Sequence, residues 1–179
     1  MKHKQKRDEF KLRVSGVSLG KHCFSICCDD EFFEIAEIQE KKSDGLQVDI
    51  VLEKKEKMLL LDCHFHGKVI APCDRCLDLV SVPLDFSEQV VVQLVPEVEP
   101  EDTGDDEIWK VNENIYELDL FHFVYEAIVL ALPARITHPY IDNDTPECNP
   151  EVIQKWQSLS SSTTKEDARW DKLKDIKLN

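Results

Sequence analysis

Apolar and polar residues alternate through much of the first half of the chain. The period of two is clear at Phe10-Lys11-Leu12-Arg13-Val14 and again at Cys23-Phe24-Ser25-Ile26-Cys27. It predicts half-buried strands, because successive side chains of a strand point to opposite faces. Residues 46–52 and 58–65 predict a further pair of strands, joined by the charged connector Glu53-Lys54-Lys55-Glu56-Lys57. The polar stretch 41–45 predicts a turn. Phe32-Phe33-Glu34-Ile35, after the break at Asp29-Asp30, fits either a strand or a short helix. Residues 80–86 and 89–95 are strong strand material, with Pro83 at an edge or a bulge because it donates no ladder hydrogen bond.

The period then changes. Leu118, Phe121, Tyr125, Ile128 and Leu132 recur every three or four residues and predict a helix over 117–132, capped by Asn112 or Asn114 and ended by Pro133. Leu120, Val124 and Ala127 widen the apolar stripe, so this helix is expected to be largely covered by the sheet, with His122 at its surface or partly buried and not a ligand. Residues 134–150, with three prolines, read as an irregular loop, and 151–159 as a short helix around Trp156. A polar linker over 158–164 leads to a mixed-charge helical turn anchored by Trp170. Strands cluster with no βαβ rhythm, which predicts an α+β fold: a mainly antiparallel, curved sheet, one long packed helix and a short C-terminal helical segment. The expected organisation is a basic tail over 1–9, a single domain over 10–157, and a linker with a helical segment over 158–179.

Composition narrows the function. A 42% hydrophobic content in 179 residues supports one core, and no apolar run approaches the ~18 residues that a spanning helix needs. The basic start of the chain is followed by no apolar segment, so no secretory signal is expected and the reading is a cytoplasmic protein without a membrane partner. The net charge of −14 is uneven: residues 61–150 hold four Lys/Arg against 19 Asp/Glu. Such a chain has no broad basic face for wrapping nucleic acid. Basic residues gather instead at the two ends, where an RNA-contacting arm is one reading and a solvated tail the other. The acidic stretch 97–107 reads as a mobile, solvated linker. No phosphate-binding glycine loop and no Ser/His/Asp spacing is present, so no catalytic constellation is predicted.

The candidate chemistry sits at Pro72-Cys73-Asp74-Arg75-Cys76-Leu77, between two predicted strands. Two cysteines separated by two residues turn both sulfurs toward one point, which suits a tetrahedral metal or a reversible disulfide. Two thiolates make half of a closed zinc site. His138 and Cys148, in the loop after the helix, are the candidates for the other half, so a Zn2+ site would comprise Cys73, Cys76, His138 and Cys148. Cys23, Cys27, Cys28 and Cys63 read as small apolar residues packed on strands.

Cys-Asp-Arg-Cys-Leu after a strand-rich half, an acidic loop, a helix ending Leu130-Ala131-Leu132-Pro133, the His138/Cys148 loop and the closing Arg169-Trp170-Asp171-Lys172-Leu173-Lys174 occur in this order. Together they resemble the YceD-like family of large ribosomal RNA subunit accumulation proteins, in the form found in Bacteroidetes. The resemblance implies a non-enzymatic factor supporting accumulation of 23S ribosomal RNA and assembly of the large subunit. Its partner would be the rRNA or a large-subunit ribosomal protein. Family members often complete the CxxC with further cysteines, whereas here a histidine would serve as the fourth ligand. The residues available for RNA or partner contact are Lys4, Lys6, Arg7, Arg75, Arg135, Arg169 and Lys172. Two other readings compete: a thiol-disulfide oxidoreductase, which needs the CxxC at a helix start in a βαβ setting, and a structural zinc turn in an interaction module.

Overall fold

The computed structural model describes residues 6–38, 40–97, 108–141 and 147–160. Five strands form one mixed sheet in the order β2 (Gly20–Cys27), β3 (Lys42–Lys54), β4 (Met58–Pro72), β5 (Leu79–Val95) and β6 (Ile108–Asn112). The first four run as an antiparallel meander, while β6 lies parallel to β5. A separate two-stranded ribbon pairs β1 (Lys11–Arg13) with β7 (Glu117–Asp119). The described helices include α1 (Asp30–Ile35), α2 (Phe121–Ala131) and α3 (Pro150–Ser160). The α+β class and the largely antiparallel sheet agree with the alternation in the sequence. No helix among the described residues is long and apolar enough to cross a membrane.

Strand alternation builds the core directly. Leu46, Val48, Ile50 and Leu52 on β3 and Leu59, Leu61, Cys63 and Phe65 on β4 are fully or almost fully buried. They form one cluster with Phe10, Phe32, Phe33 and the inner face of α2. Phe10 and Phe32 stack with ring centroids 5.0 Å apart, and Phe121 meets Phe10 edge-on at 5.3 Å. Where the sequence predicts a polar turn at 41–45, β3 continues through a bulge between Asp44 and Gln47. Gly67 on the facing strand explains the fit: its φ is +133°, and a Cβ there would lie 2.5 Å from the Gly45 carbonyl oxygen.

The long helix is shorter than its periodicity predicts. Residues 117–119 carry part of the apolar stripe but pair as a strand with residues 11–13, and the register sets Lys11 against Asp119 and Arg13 against Glu117. These opposite charges favour the ribbon over another helical turn. Helix α2 therefore begins at Phe121, whose N–H donates to the Asp119 carboxylate at 2.9 Å. The expected asparagine caps do other work. Asn112 ends β6, donates its amide to the Pro96 carbonyl at 2.7 Å and accepts from the Asn114 N–H. Along α2, Phe121, Val124, Ala127 and Ile128 are buried, and His122 is exposed beside Glu126, the first of the two placements its position allows.

Two further expectations change. Cys28 and Cys63 are buried, and that burial pushes each thiol up to about 12. Cys23 and Cys27, by contrast, lie exposed on β2, because this edge strand turns them to the outer face. Lys6 is not part of a free basic arm. Its side chain is 9% exposed, and its ammonium lies 2.6 Å from Glu9 and 2.8 Å from Asp29. Asp29 also caps α1, accepting from the Phe32 N–H at 3.1 Å. The acidic stretch beyond Glu97, Lys4, and the linker with its C-terminal segment from 161 onward lie outside the described residues.

This pairing gives a pH signature. Burial works against the Lys6 charge, but the hydrogen bonds it donates to Asp29 and Glu9 outweigh it and raise its pKa above the ordinary 10.5. Burial likewise opposes ionisation of Asp29, yet Lys6 and the Phe32 N–H hold it below the ordinary 3.8. A raised lysine stabilises fully below 10.5 and loses its contribution as pH climbs toward its folded value. A lowered aspartate stabilises above 3.8 and loses its contribution as pH falls through its folded value. The pair therefore acts in full across the range between. Asp29→Asn keeps the helix cap and should cost about 1–2 kcal/mol at neutral pH, discounted because the carboxylate is half in water. Urea melts at pH 7 and in strong acid check this: the difference from wild type should shrink on acidification.

Candidate metal centre

The β4–β5 ladder closes with Pro72 opposite Leu79. The six residues between them form a tight turn at the rim of the sheet. Cys73 N–H donates to the Asp78 carbonyl and Leu77 N–H to the Cys73 carbonyl, both at 2.9 Å. Leu77 takes a left-handed φ of +65°, which folds the chain back after the second cysteine. The result points both sulfurs inward: Cys73 is 0% and Cys76 4% exposed.

Asp74 ties the distant loop to this turn. Its N–H donates to the Ile136 carbonyl and its carboxylate accepts from the Ile136 N–H, each at 2.7 Å. Two residues on, His138 N–H points at Cys73 Sγ from 3.4 Å. The loop then returns Cys148, which is buried and precedes α3, where Asn149 Oδ1 accepts from the Glu151 N–H. Val80 and Ile153 pack against the cysteine cluster and form its apolar wall.

The four side chains singled out in the sequence meet, although ten positions separate His138 from Cys148. Their donor atoms all lie within 4.8 Å of one another. Cys76 Sγ is 3.4 Å from His138 Nδ1, Cys148 Sγ 3.9 Å from the same nitrogen, and Cys73 Sγ 3.9 Å from Cys148 Sγ. Zinc–sulfur bonds of roughly 2.3 Å at tetrahedral angles would separate sulfurs by about 3.8 Å, so the cluster has the span of a closed Cys3His site. The outer contacts agree. His138 Nε2 lies 3.2 Å from the Leu79 carbonyl, which fixes the proton on that nitrogen and leaves Nδ1 as a lone-pair donor. The residues thus fit zinc in number, type and orientation.

The thiols differ in acidity. Burial alone would raise Cys73, but N–H donors from Arg75, Cys76 and His138, with the His138 ring, bring it down to about 6. Burial pushes Cys148 up to about 11, and the neighbouring sulfurs of Cys73 and Cys76 push the same way. One preformed thiolate, at Cys73, beside the Cys148 thiol is a nucleus for metal capture. A thioredoxin-like site would need a helix directly after the CxxC, and here the chain enters β5 instead.

The same turn carries a basic and aromatic cleft. The Arg75 guanidinium lies over the Tyr140 ring, 4.5 Å from its centroid, and its Nη1 is buried without a hydrogen-bond partner. Arg75, Arg135, Tyr140, Ile153 and Trp156 line a cleft of about 400 Å³. Tyr140 and Trp156 are exposed. The structure therefore unites two of the proposed contact residues, Arg75 and Arg135. Lys6 and Arg7 are engaged elsewhere, Arg7 with Asp119 at 3.7 Å and over the Phe121 ring. Lys4, Arg169 and Lys172 lie outside the described residues. Tyr140 and Asp74 carry no local signal in the sequence, since their roles depend on a contact across some sixty positions.

No curated protein and no solved structure matches the chain. A family model described as "Large ribosomal RNA subunit accumulation protein YceD" matches residues 61–177. That span holds most of β4, the CxxC turn, β5, α2, the His138/Cys148 loop and α3. The chain belongs to the YceD family.

Proposed function

We propose that this chain is a non-enzymatic, cytoplasmic factor that supports 23S rRNA accumulation and large-subunit assembly by holding single-stranded rRNA at the CxxC rim. The observation that carries the reading is Arg75, stacked on an exposed tyrosine with an unsatisfied Nη1, in a cleft shared with Arg135 and Trp156. Unpaired RNA is recognised by aromatic faces for its bases and guanidinium groups for its phosphates. A chain of net charge −14 cannot wrap RNA, so a compact contact of this kind is the form that binding would take. Zinc held by Cys73, Cys76, His138 and Cys148 would act as a structural cross-link. It would lock the loop bearing Arg135 and Tyr140 against the turn bearing Arg75.

The test is genetic. Depleting the protein should lower large subunits relative to small ones in sedimentation profiles, and wild-type protein should restore them. The Arg75→Ala/Arg135→Ala variant should accumulate normally and fail to restore them. Full rescue by that variant would instead favour docking on a basic ribosomal protein through the acid-rich middle of the chain.

A further inference from the structure

A second cluster of metal-binding side chains lies on the open face of the sheet. Along β4, Cys63 and Phe65 point into the core, so His64 and His66 both face out, two residues apart. Asp49 on β3 is the register partner of His64, and Asp85 on β5 that of His66. The side chains bond along the diagonals instead: His66 Nε2 lies 3.1 Å from Asp49 Oδ2, and His64 Nε2 lies 2.9 Å from Asp85 Oδ1. The two imidazoles are stacked, with centroids 5.4 Å apart and planes 24° from parallel.

We infer that His64, His66 and Asp49 form a second site, for a first-row divalent cation of the zinc, nickel or copper type. One donor atom from each of the three lies within 4.8 Å of the other two. Two imidazoles and one carboxylate on adjacent strands suit these borderline cations and suit magnesium or calcium poorly, which take oxygen ligands. The backbone beneath is a continuous antiparallel ladder, so the Cβ positions are fixed and an ion needs only rotamer adjustments. The Ser25 hydroxyl and the His66 ring hold the Asp49 carboxylate below its usual range, which keeps it available as an anion. Asp85 stands beside His64 as a further oxygen.

The two sites would differ in kind. Cys73, Cys76, His138 and Cys148 close around an ion, whereas His64, His66 and Asp49 leave positions open to water or to a donor from a docked partner. Asp49 and His64 are exposed and His66 is half-buried, which suits exchange of metal with solvent.

Zinc-replete protein dialysed against graded Zn2+ tests this, with bound metal counted and the histidine ring signals followed by NMR. Wild type should take up one equivalent more than the His64→Gln/His66→Gln variant, with the perturbed rings being those of His64 and His66. Asp49→Asn should weaken the extra site about tenfold. His122→Gln, on an exposed position of α2, should leave uptake unchanged. Equal uptake by wild type and the double variant up to millimolar free zinc would overturn the assignment. So would an extra equivalent that perturbs neither ring. The NMR readout on wild type holds even where a variant folds poorly.

Discussion

Protein purified without chelator is expected to carry zinc at the rim site, and Cys73→Ser to carry none there. Cys73 is the most committed of the four ligands: fully buried, 3.9 Å from Cys148 Sγ, and receiving N–H donors from both Arg75 and His138. A serine hydroxyl has neither the softness nor the acidity to replace it. Without metal the cluster is three cysteine sulfurs and a ring under a thin apolar wall, and the 134–141 loop keeps the Asp74–Ile136 exchange, the His138–Leu79 contact and the stack of Tyr140 on Arg75. Losing a closed zinc site from a zinc-finger peptide costs about 10–16 kcal/mol. The sheet here has its own core, so the loss should be confined to the turn, the loop and α3. Metal content, with hydrogen exchange of residues 134–141 and 150–160, reads it. Cys73→Ser protein with full metal content and unchanged exchange would sink the site.

The same site should bind zinc more weakly in acid, and more steeply so below about pH 6. Cys148, pushed up to about 11, must give up its proton to the medium at any neutral pH. Cys73, near 6, is already ionised at pH 7 and adds a released proton only below its own value. Proton release on binding therefore rises as pH falls through 6, and the slope of affinity against pH rises with it.

The largest effect on stability should come from Phe32→Ala. Phe32 is 0% exposed and touches three other rings: Phe10 stacked at 5.0 Å, Phe121 at 5.3 Å and Phe33 edge-on at 5.4 Å. It lies where α1, β1 and α2 converge on the sheet, so no neighbour can swing in to fill the space. Truncating such a phenylalanine costs about 3–5 kcal/mol, a large share of the 5–15 kcal/mol that holds a typical domain together. Phe86→Ala, half-buried on β5, should cost clearly less. Urea unfolding of the two variants decides it, and a loss of under about 1 kcal/mol for Phe32→Ala would contradict this account of the core.

Much of this was legible in the sequence because it is local. Period-two alternation marks β2 through β5, and Cys-Asp-Arg-Cys between two such runs marks the rim turn. His138 and Cys148 were legible as candidate partners by their place in the loop after the helix, and the structure brings their donor atoms within 4.8 Å of the turn's sulfurs. The parts that were not legible are the non-local ones. Residues 117–119 fit a helical stripe and become a strand only because residues 11–13, a hundred positions away, offer complementary charges. Strand β6 is five residues long, follows the acidic stretch and pairs in parallel, so neither its length nor its flanks announce it. Lys6 looks like one cation of a basic arm until Asp29 appears 2.8 Å away. Tyr140 becomes a platform only when the loop folds back over Arg75.

The central claim is that the metal-fastened rim binds single-stranded rRNA through its two arginines and its aromatic residues. Fluorescence anisotropy of zinc-loaded protein with labelled single-stranded 23S segments measures it directly. Wild type should bind with a shallow salt dependence, a log–log slope of about −1.4 for two phosphate contacts. Arg75→Ala/Arg135→Ala should flatten that slope toward zero, and Trp156→Ala should weaken binding about tenfold at unchanged slope. Undiminished binding by the double arginine variant, or no binding by zinc-loaded wild type at low salt, would contradict the claim.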